Sequence, residues 1–157
     1  MDLERQKRLN EVAAVAVRIE TETGVPATAI VAQWALESQW GAKPAGHANY
    51  FGIKKAARHA QCCTVTTREV IKGKSVMQDL EFADYASLEE SCRDYAWLIS
   101  HGTPYQKAWQ GYQTGRDAVA LIAGIAHTYA TDPNYTQLAT QNAQQGNVQQ
   151  AIQAARS

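Results

Sequence analysis

Ile30-Val31-Ala32-Gln33-Trp34-Ala35-Leu36-Glu37-Ser38-Gln39-Trp40-Gly41 places one carboxyl group late in an otherwise apolar run. The spacing predicts a helix from about Ala27 to Trp40, with Ile30, Trp34 and Glu37 near one face and Val31, Ala35 and Ser38 on the neighbouring row. Trp34 and Trp40 stand three residues to either side of Glu37, so an indole is expected to shield the carboxyl. Apolar surroundings favour the neutral form of a carboxylic acid unless a cation offsets desolvation. A neutral acid can protonate a poor leaving group. The plainer reading is a surface glutamate, or one bonded to the loop that follows.

Working outward, Asp2 to Thr23 reads as a helix with Leu9, Val12, Ala13, Ala16 and Ile19 on its apolar stripe and Glu11, Arg18 and Glu22 in water. Gly24 stops it, and Pro26 restarts the chain. Gly41, Pro44 and Gly46 mark a loop that leads into Asn49-Tyr50-Phe51-Gly52-Ile53-Lys54. The period then changes. Val65 to Ile71 favours a strand, Lys72-Gly73-Lys74 a turn, and Val76 to Phe82 a returning strand.

Ser87 with Glu90 predicts a capping box before a helix faced by Leu88, Cys92, Tyr95 and Ile99. Pro104 opens a short helix that Gly111 is expected to close, and Thr114 with Asp117 suggests another capping box before Ala118 to Tyr129. Asp132-Pro133-Asn134 reads as a turn, and the Gln/Ala-rich end as one or two helices, one of them starting near Asn147. Helices with a single hairpin and no alternating βα pattern define a helical α+β domain.

The chain has 157 residues, about one domain, with 15 Lys plus Arg against 15 Asp plus Glu. Zero formal charge argues against a nucleic-acid partner. Apolar residues at 45% supply a core, and the alanine-rich stretch after Arg116, broken by Gly124 and His127, is too short for an integral membrane segment. No charged leader precedes a long apolar segment, so the reading expects production without an ordinary signal peptide. Cys62, Cys63 and Cys92 have neither a disulfide-framework nor a zinc-site spacing, and His47, His59, His101 and His127 lack metal-ligand spacing. Nucleophile elbows, phosphate loops and dinucleotide fingerprints are absent from the sequence. What remains is carboxylate chemistry in an aromatic groove.

Glu69, on the proposed hairpin, is the second carboxyl candidate, with Glu81 and Asp84 as weaker substitutes. Paired carboxyl groups suit glycosidic cleavage, one giving a proton while the other orients water or stabilises positive charge. Tyr129 ends an apolar helix where its phenol can reach a groove or simply pack. The Asn49 amide can hold its loop or recognise a polar substrate.

The blocks 30–41 and 49–54, then Thr67-Arg68-Glu69, 82–91, and Tyr129-Ala130-Thr131-Asp132-Pro133-Asn134-Tyr135, occur in one order and cover most of residues 10–136. Together they resemble the glucosaminidase domains of glycoside hydrolase family 73 and the flagellar muramidase-like group. The resemblance implies a lysozyme-like α+β fold, mainly a helical lobe with a small antiparallel hairpin lobe. It also implies cleavage of bacterial peptidoglycan, commonly at the β-1,4 bond after N-acetylglucosamine, with no metal or organic cofactor. It places the general acid at Glu37, the second carboxylate at Glu69 and an active-site tyrosine at Tyr129. Asn49, Tyr50, Phe51 and Gly52 match the substrate-binding loop. Gln39 departs from the small glycine often found between the family's serine and tryptophan.

Residues 1–141 are expected to form the catalytic domain and 142–157 a Gln/Ala-rich helical extension. The expected partners are peptidoglycan glycan strands and a secretion, flagellar or phage-lysis machinery, with action in the bacterial cell wall or periplasm. Two alternatives use the same groove. One is a muramidase or lytic transglycosylase acting after N-acetylmuramic acid, and the other is a noncatalytic peptidoglycan-binding module.

Overall fold

The computed structural model describes residues 2–130 and 132–157, apart from the side chain of Glu69. The elements in order are α1 (Leu3–Thr23), α2 (Ala27–Glu37), β1 (Cys62–Ile71), β2 (Lys74–Ala83), α3 (Leu88–His101), a 3-10 turn (Thr103–Tyr105), α4 (Gln106–Gly115), α5 (Ala118–Tyr129), α6 (Pro133–Gln144) and α7 (Gly146–Arg156). A helical lobe and one antiparallel ribbon give the lysozyme-like α+β arrangement.

Helix α2 lies at the centre. Ala27, every residue from Ala29 to Ala35, and thus most of its circumference are buried, against α1, α5, α6 and α7. Burying each of Ile30 and Val31 contributes on the order of 1.5–3 kcal/mol. Around it, α1 turns inward the predicted stripe Leu9, Val12, Ala13, Ala16 and Ile19 and ends on left-handed Gly24. Pro26 leaves the start of α2 without a side-chain cap of its own. Glu20 of α1 supplies one by accepting from Ala27 N at 3.0 Å. Arg156, the last residue of α7, pairs with both oxygens of Glu20 at 2.9 Å.

The expected helix to Trp40 stops at Glu37 instead. Ser38 Oγ donates to Trp34 O at 2.6 Å and accepts from Gly41 N at 2.9 Å, so a hydroxyl takes over the terminal backbone groups. Gln39 and Trp40 then adopt left-handed φ values of 51° and 58°. Arg8 Nε, which donates to Trp40 O at 2.9 Å, and the Arg5 guanidinium, 4.0 Å over the Trp40 indole, fix this turn from α1.

The strands are longer than predicted and pair in simple register from Cys62↔Ala83 to Ile71↔Lys74, closed by Lys72 and Gly73 with positive φ. A bridge from Lys54 to Phe82 adds a short third segment at the base. Cys63, Val65 and Thr67 on β1 and Gln78, Leu80 and Phe82 on β2 are half-buried, whereas Val70 and Met77 near the tip are exposed. The segment before β1 is pinned to α3. His59 Nδ1 accepts from Ala56 N at 2.8 Å, which leaves Nε2–H to donate to Asp94 at 2.9 Å, and Arg58 adds three further bonds to the same carboxylate.

Ser87 caps α3, and the Glu90 carboxylate reaches back to Ala86 N at 3.1 Å. Two boundaries differ from expectation. Helix α4 runs through Gly111 to Gly115, where Arg116 turns left-handed, because helix–helix packing outweighs the propensity cost of one glycine. Asp117 is itself the cap of α5, accepting from Val119 N and Ala120 N, so Thr114 plays no part in it. The Asp132-Pro133-Asn134 turn is the start of α6, with Asp132 accepting from Asn134 N at 2.9 Å. Helix α6 runs through Gln144, and α7 buries Val148, Ala151 and Ile152 in the common core. Cys92 is buried, Cys63 half-buried and Cys62 exposed, all as free thiols.

Candidate active site

Glu37 is the last residue of α2, half-buried, and keeps part of its surface in solvent. Its Oε1 accepts from the Tyr135 hydroxyl and, at 3.5 Å, from Gln33 Nε2 one helical turn earlier. Gln33 Nε2 also donates to the Tyr135 oxygen. Burial pushes the Glu37 carboxyl above the ordinary carboxylate range, and the bonds from Tyr135 and Gln33 pull it partly back. Its position among the free carbonyls of a helix C-terminus acts in the same direction as burial. The acid is thereby held closer to the neutral form.

The shielding rings are not the ones expected. Trp34 is sealed in the core, edge-on to Trp40 with centroids 6.2 Å apart, and that pair packs toward α1. The phenols around Glu37 come instead from Tyr135 on α6, Tyr129 on α5, Tyr105 on the 3-10 turn and Tyr95 on α3. Tyr129 stacks on Tyr135 at 6.4 Å with planes 8° apart. Its hydroxyl donates to Phe51 O at 3.0 Å, so Tyr129 ties α5 to the 49–53 loop. Burial raises all four phenols, which keeps them neutral.

Of the four loop residues expected to touch substrate, only Gly52 lies against the acid. A β-carbon there would stand 2.6 Å from Glu37 Oε2, and φ is +64°. Only glycine combines that backbone with that approach. Asn49 is buried, with Nδ2 donating to Ile53 O at 2.9 Å and Ala83 O at 2.8 Å, and Oδ1 accepting from Phe51 N and Ile53 N. Its amide is fully taken up by the loop and the base of β2. Phe51 is likewise buried, stacked on Tyr95 with centroids 4.5 Å apart. Tyr50 lies on the other side of the loop, beside Arg8, Glu11, Trp34 and Leu88.

The other carboxyl candidates fall elsewhere. Glu69 pairs through its backbone with Val76 near the ribbon tip, and its side chain lies outside the described residues. Glu81 is exposed at the ribbon's base, its carbonyl bonded to Lys55 N. Asp84 accepts from His47 N, Ala48 N and Tyr85 N at 2.8–3.1 Å. Burial works to raise its carboxyl, but these donors outweigh it and hold the group below the usual range, so Asp84 braces the 46–48 turn. Sequence reading missed Gln33 and Tyr135. The four-residue spacing of Gln33 and Glu37 on one helix was an available signal. Nothing local announced Tyr135, which is 98 residues from Glu37.

Residues 13–147 match the family profile described as Glucosaminidase, mannosyl-glycoprotein endo-beta-N-acetylglucosaminidase. The chain is 32% identical over 136 residues to a protein named "Probable N-acetylmuramidase" from Lactococcus lactis subsp. cremoris, covering 81% of this chain and 30% of that one. It is 36% identical over 132 residues to peptidoglycan hydrolase FlgJ of Salmonella typhimurium, covering 79% and 40%. It thus spans well under half the length of these curated relatives. The catalytic domain of the autolysin Auto from Listeria monocytogenes superposes with a TM-score of 0.80 at 25% identity, over 96% of this chain and 89% of that one.

Proposed function

Because the chain belongs to the glucosaminidase family of glycoside hydrolase domains, homologous to peptidoglycan-degrading enzymes, we propose that it hydrolyses the β-1,4-linked glycan of bacterial peptidoglycan with Glu37 as general acid. The observation that carries this reading is the carboxyl group of Glu37, raised by burial, still partly open to solvent and backed by the Tyr135 hydroxyl. Glu37 gives its proton to the glycosidic oxygen as the bond to the anomeric carbon breaks. The resulting oxocarbenium character calls for a nearby negative charge or an internal acetamido group. Glu69 is the proposed second carboxylate, and Tyr129 supports the loop that carries Gly52. The site of action is the cell wall or periplasm, and the partner is the glycan strand itself.

Two bonds compete. The family description favours the bond after N-acetylglucosamine. The lactococcal relatives, named for muramidase activity and aligned over most of this chain, favour the bond after N-acetylmuramic acid, and theirs is the stronger support. Mass spectrometry of digested purified peptidoglycan decides between them: reducing muramic acid supports the muramidase reading, and reducing N-acetylglucosamine the other. An anhydro end identifies a lytic transglycosylase, and binding without released fragments a noncatalytic module. Glu37→Gln is expected to lower fragment release by about 10²–10⁴-fold, the usual contribution of a positioned acid. Unchanged release would reject Glu37.

A further inference from the structure

Resting on Glu37 as the acid, we infer that Gln33 is its positioning residue: the buried amide sets the direction of the Tyr135 hydroxyl and leaves the transferable proton on Glu37 Oε2. Gln33 is 0% exposed on a helix buried nearly all round, where an aliphatic side chain would pack without leaving a polar atom unmet. Its Nε2 donates to Tyr135, while its Oε1 is sealed from solvent with no partner among the described residues. An unmet buried carbonyl is costly, so this amide is present for what its nitrogen does.

The directions follow from the donor inventory. An amide N–H can only donate, so the Tyr135 oxygen accepts there, and its one hydrogen is committed to Glu37 Oε1. Gln33 Nε2 approaches the same Oε1. A carboxyl proton on Oε1 would face two donors. It therefore belongs on Oε2, the oxygen that lies over Gly52. With nitrogen inward, the amide donates to both oxygens it meets, those of Tyr135 and of Glu37 Oε1.

This arrangement serves the reaction step. When Oε2 passes its proton to the glycosidic oxygen, the C–O electron pair departs with that oxygen and a negative charge remains on Glu37. Two donors already aimed at Oε1 receive the charge without reorganising. Among the described residues, the titratable groups facing Glu37 are the neutral phenols of Tyr135, Tyr129, Tyr105 and Tyr95, from α6, α5, the 3-10 turn and α3.

The test compares wild type with Gln33→Met, Tyr135→Phe and the double variant. Glutamate side-chain carboxyls are carbon-13 labelled and titrated by NMR, with the Glu37 signal identified by its loss in Glu37→Gln. Each single substitution removes a donor to the carboxylate and is expected to raise the Glu37 midpoint by about one pH unit. The double variant rises by less than the sum of the two singles, because part of the Gln33 effect passes through Tyr135. The alkaline limb of the pH–activity profile moves up with the midpoint, while kcat falls about tenfold and KM stays within about twofold. An unmoved midpoint in Gln33→Met, or shifts that add in full, overturns the inference. If Gln33→Met fails to fold by circular dichroism, Gln33→Glu keeps the shape and exchanges the donor for an acceptor. Its midpoint must then rise at least as far, and one that does not rise also overturns the inference. The titration needs no turnover. A shifted midpoint in a protein that releases no glycan fragments sustains the inference and rejects the proposed function, and the reverse result does the opposite.

Discussion

Glu37 makes stability depend on pH in a direction that can be worked out from its surroundings. Burial raises its folded-state pKa above the unfolded value. The native state therefore holds the Glu37 proton to higher pH than the unfolded chain does, and wild-type stability falls as pH climbs through that interval. Glu37→Gln carries no such charge. We expect its thermal midpoint at pH 7 to exceed that of wild type, with the gap closing as pH drops below about 4, the unfolded carboxyl range. Parallel melts from pH 3 to 8 check this, and a constant gap would contradict it. Gly52 gives a second outcome at the same scale. Gly52→Ala forces a β-carbon to 2.6 Å from Glu37 Oε2 at a left-handed φ. The backbone strain alone costs about 1–2 kcal/mol, readable by denaturant unfolding, and activity should fall further than that loss explains because the acid is displaced. At this scale the sequence singled out Glu37 as a shielded carboxyl group and did not show what surrounds it. Trp34 and Trp40 were the near aromatic neighbours in the chain, yet the left-handed turn at Gln39 and Trp40 leads them toward α1. The shielding phenols arrive from four separate elements, which no local pattern can report.

The 49–54 loop couples the two lobes, and Asn49 is its knot. The side chain joins the loop's own backbone to Ala83, the last residue of β2, with every polar position occupied and 1% exposure. Asn49→Ala would strand several buried backbone groups, each costing about 1–3 kcal/mol, so a loss of at least ~3 kcal/mol is expected in chemical unfolding. Asn49→Asp should lose less, since Oδ1 still accepts from Phe51 N and Ile53 N. Equal losses would mean that the two bonds accepted by Oδ1 carry no weight. Periodicity and capping rules read the elements themselves well: the α1 stripe, the Ser87–Glu90 box and the hairpin turn all lie within one or two turns of chain. They erred where a longer-range partner helped decide the boundary. Arg8 fixes the turn that ends α2 early, and packing carries α4 past Gly111. The loop's part in joining the lobes was invisible for the same reason, because Ala83 lies 34 residues from Asn49.

At the scale of the whole molecule, α7 closes the core against α1 and α2. Removing residues 146–157 would uncover the pockets that hold Val148, Ala151 and Ile152 and would free Glu20 from Arg156. Each lost Val or Ile contact is worth about 1.5–3 kcal/mol, so truncation should bring a small domain near its unfolding threshold. Far-UV melting of the shortened chain checks this, and an unchanged midpoint would show α7 to be an appendage. The low charge of this Gln-rich end gave little warning of that role, since its few apolar residues were hard to tell from a solvated tail. The Arg156–Glu20–Ala27 chain of contacts also fixes which end of the domain is available for handling. It holds the C-terminus beside the first turn of α2, whereas Glu37 ends that helix, about 16 Å away along an 11-residue axis. A dye, surface anchor or affinity handle attached after Ser157 would thus sit at the opposite end of α2 from Glu37, and the domain can be immobilised there with its Glu37 end facing outward.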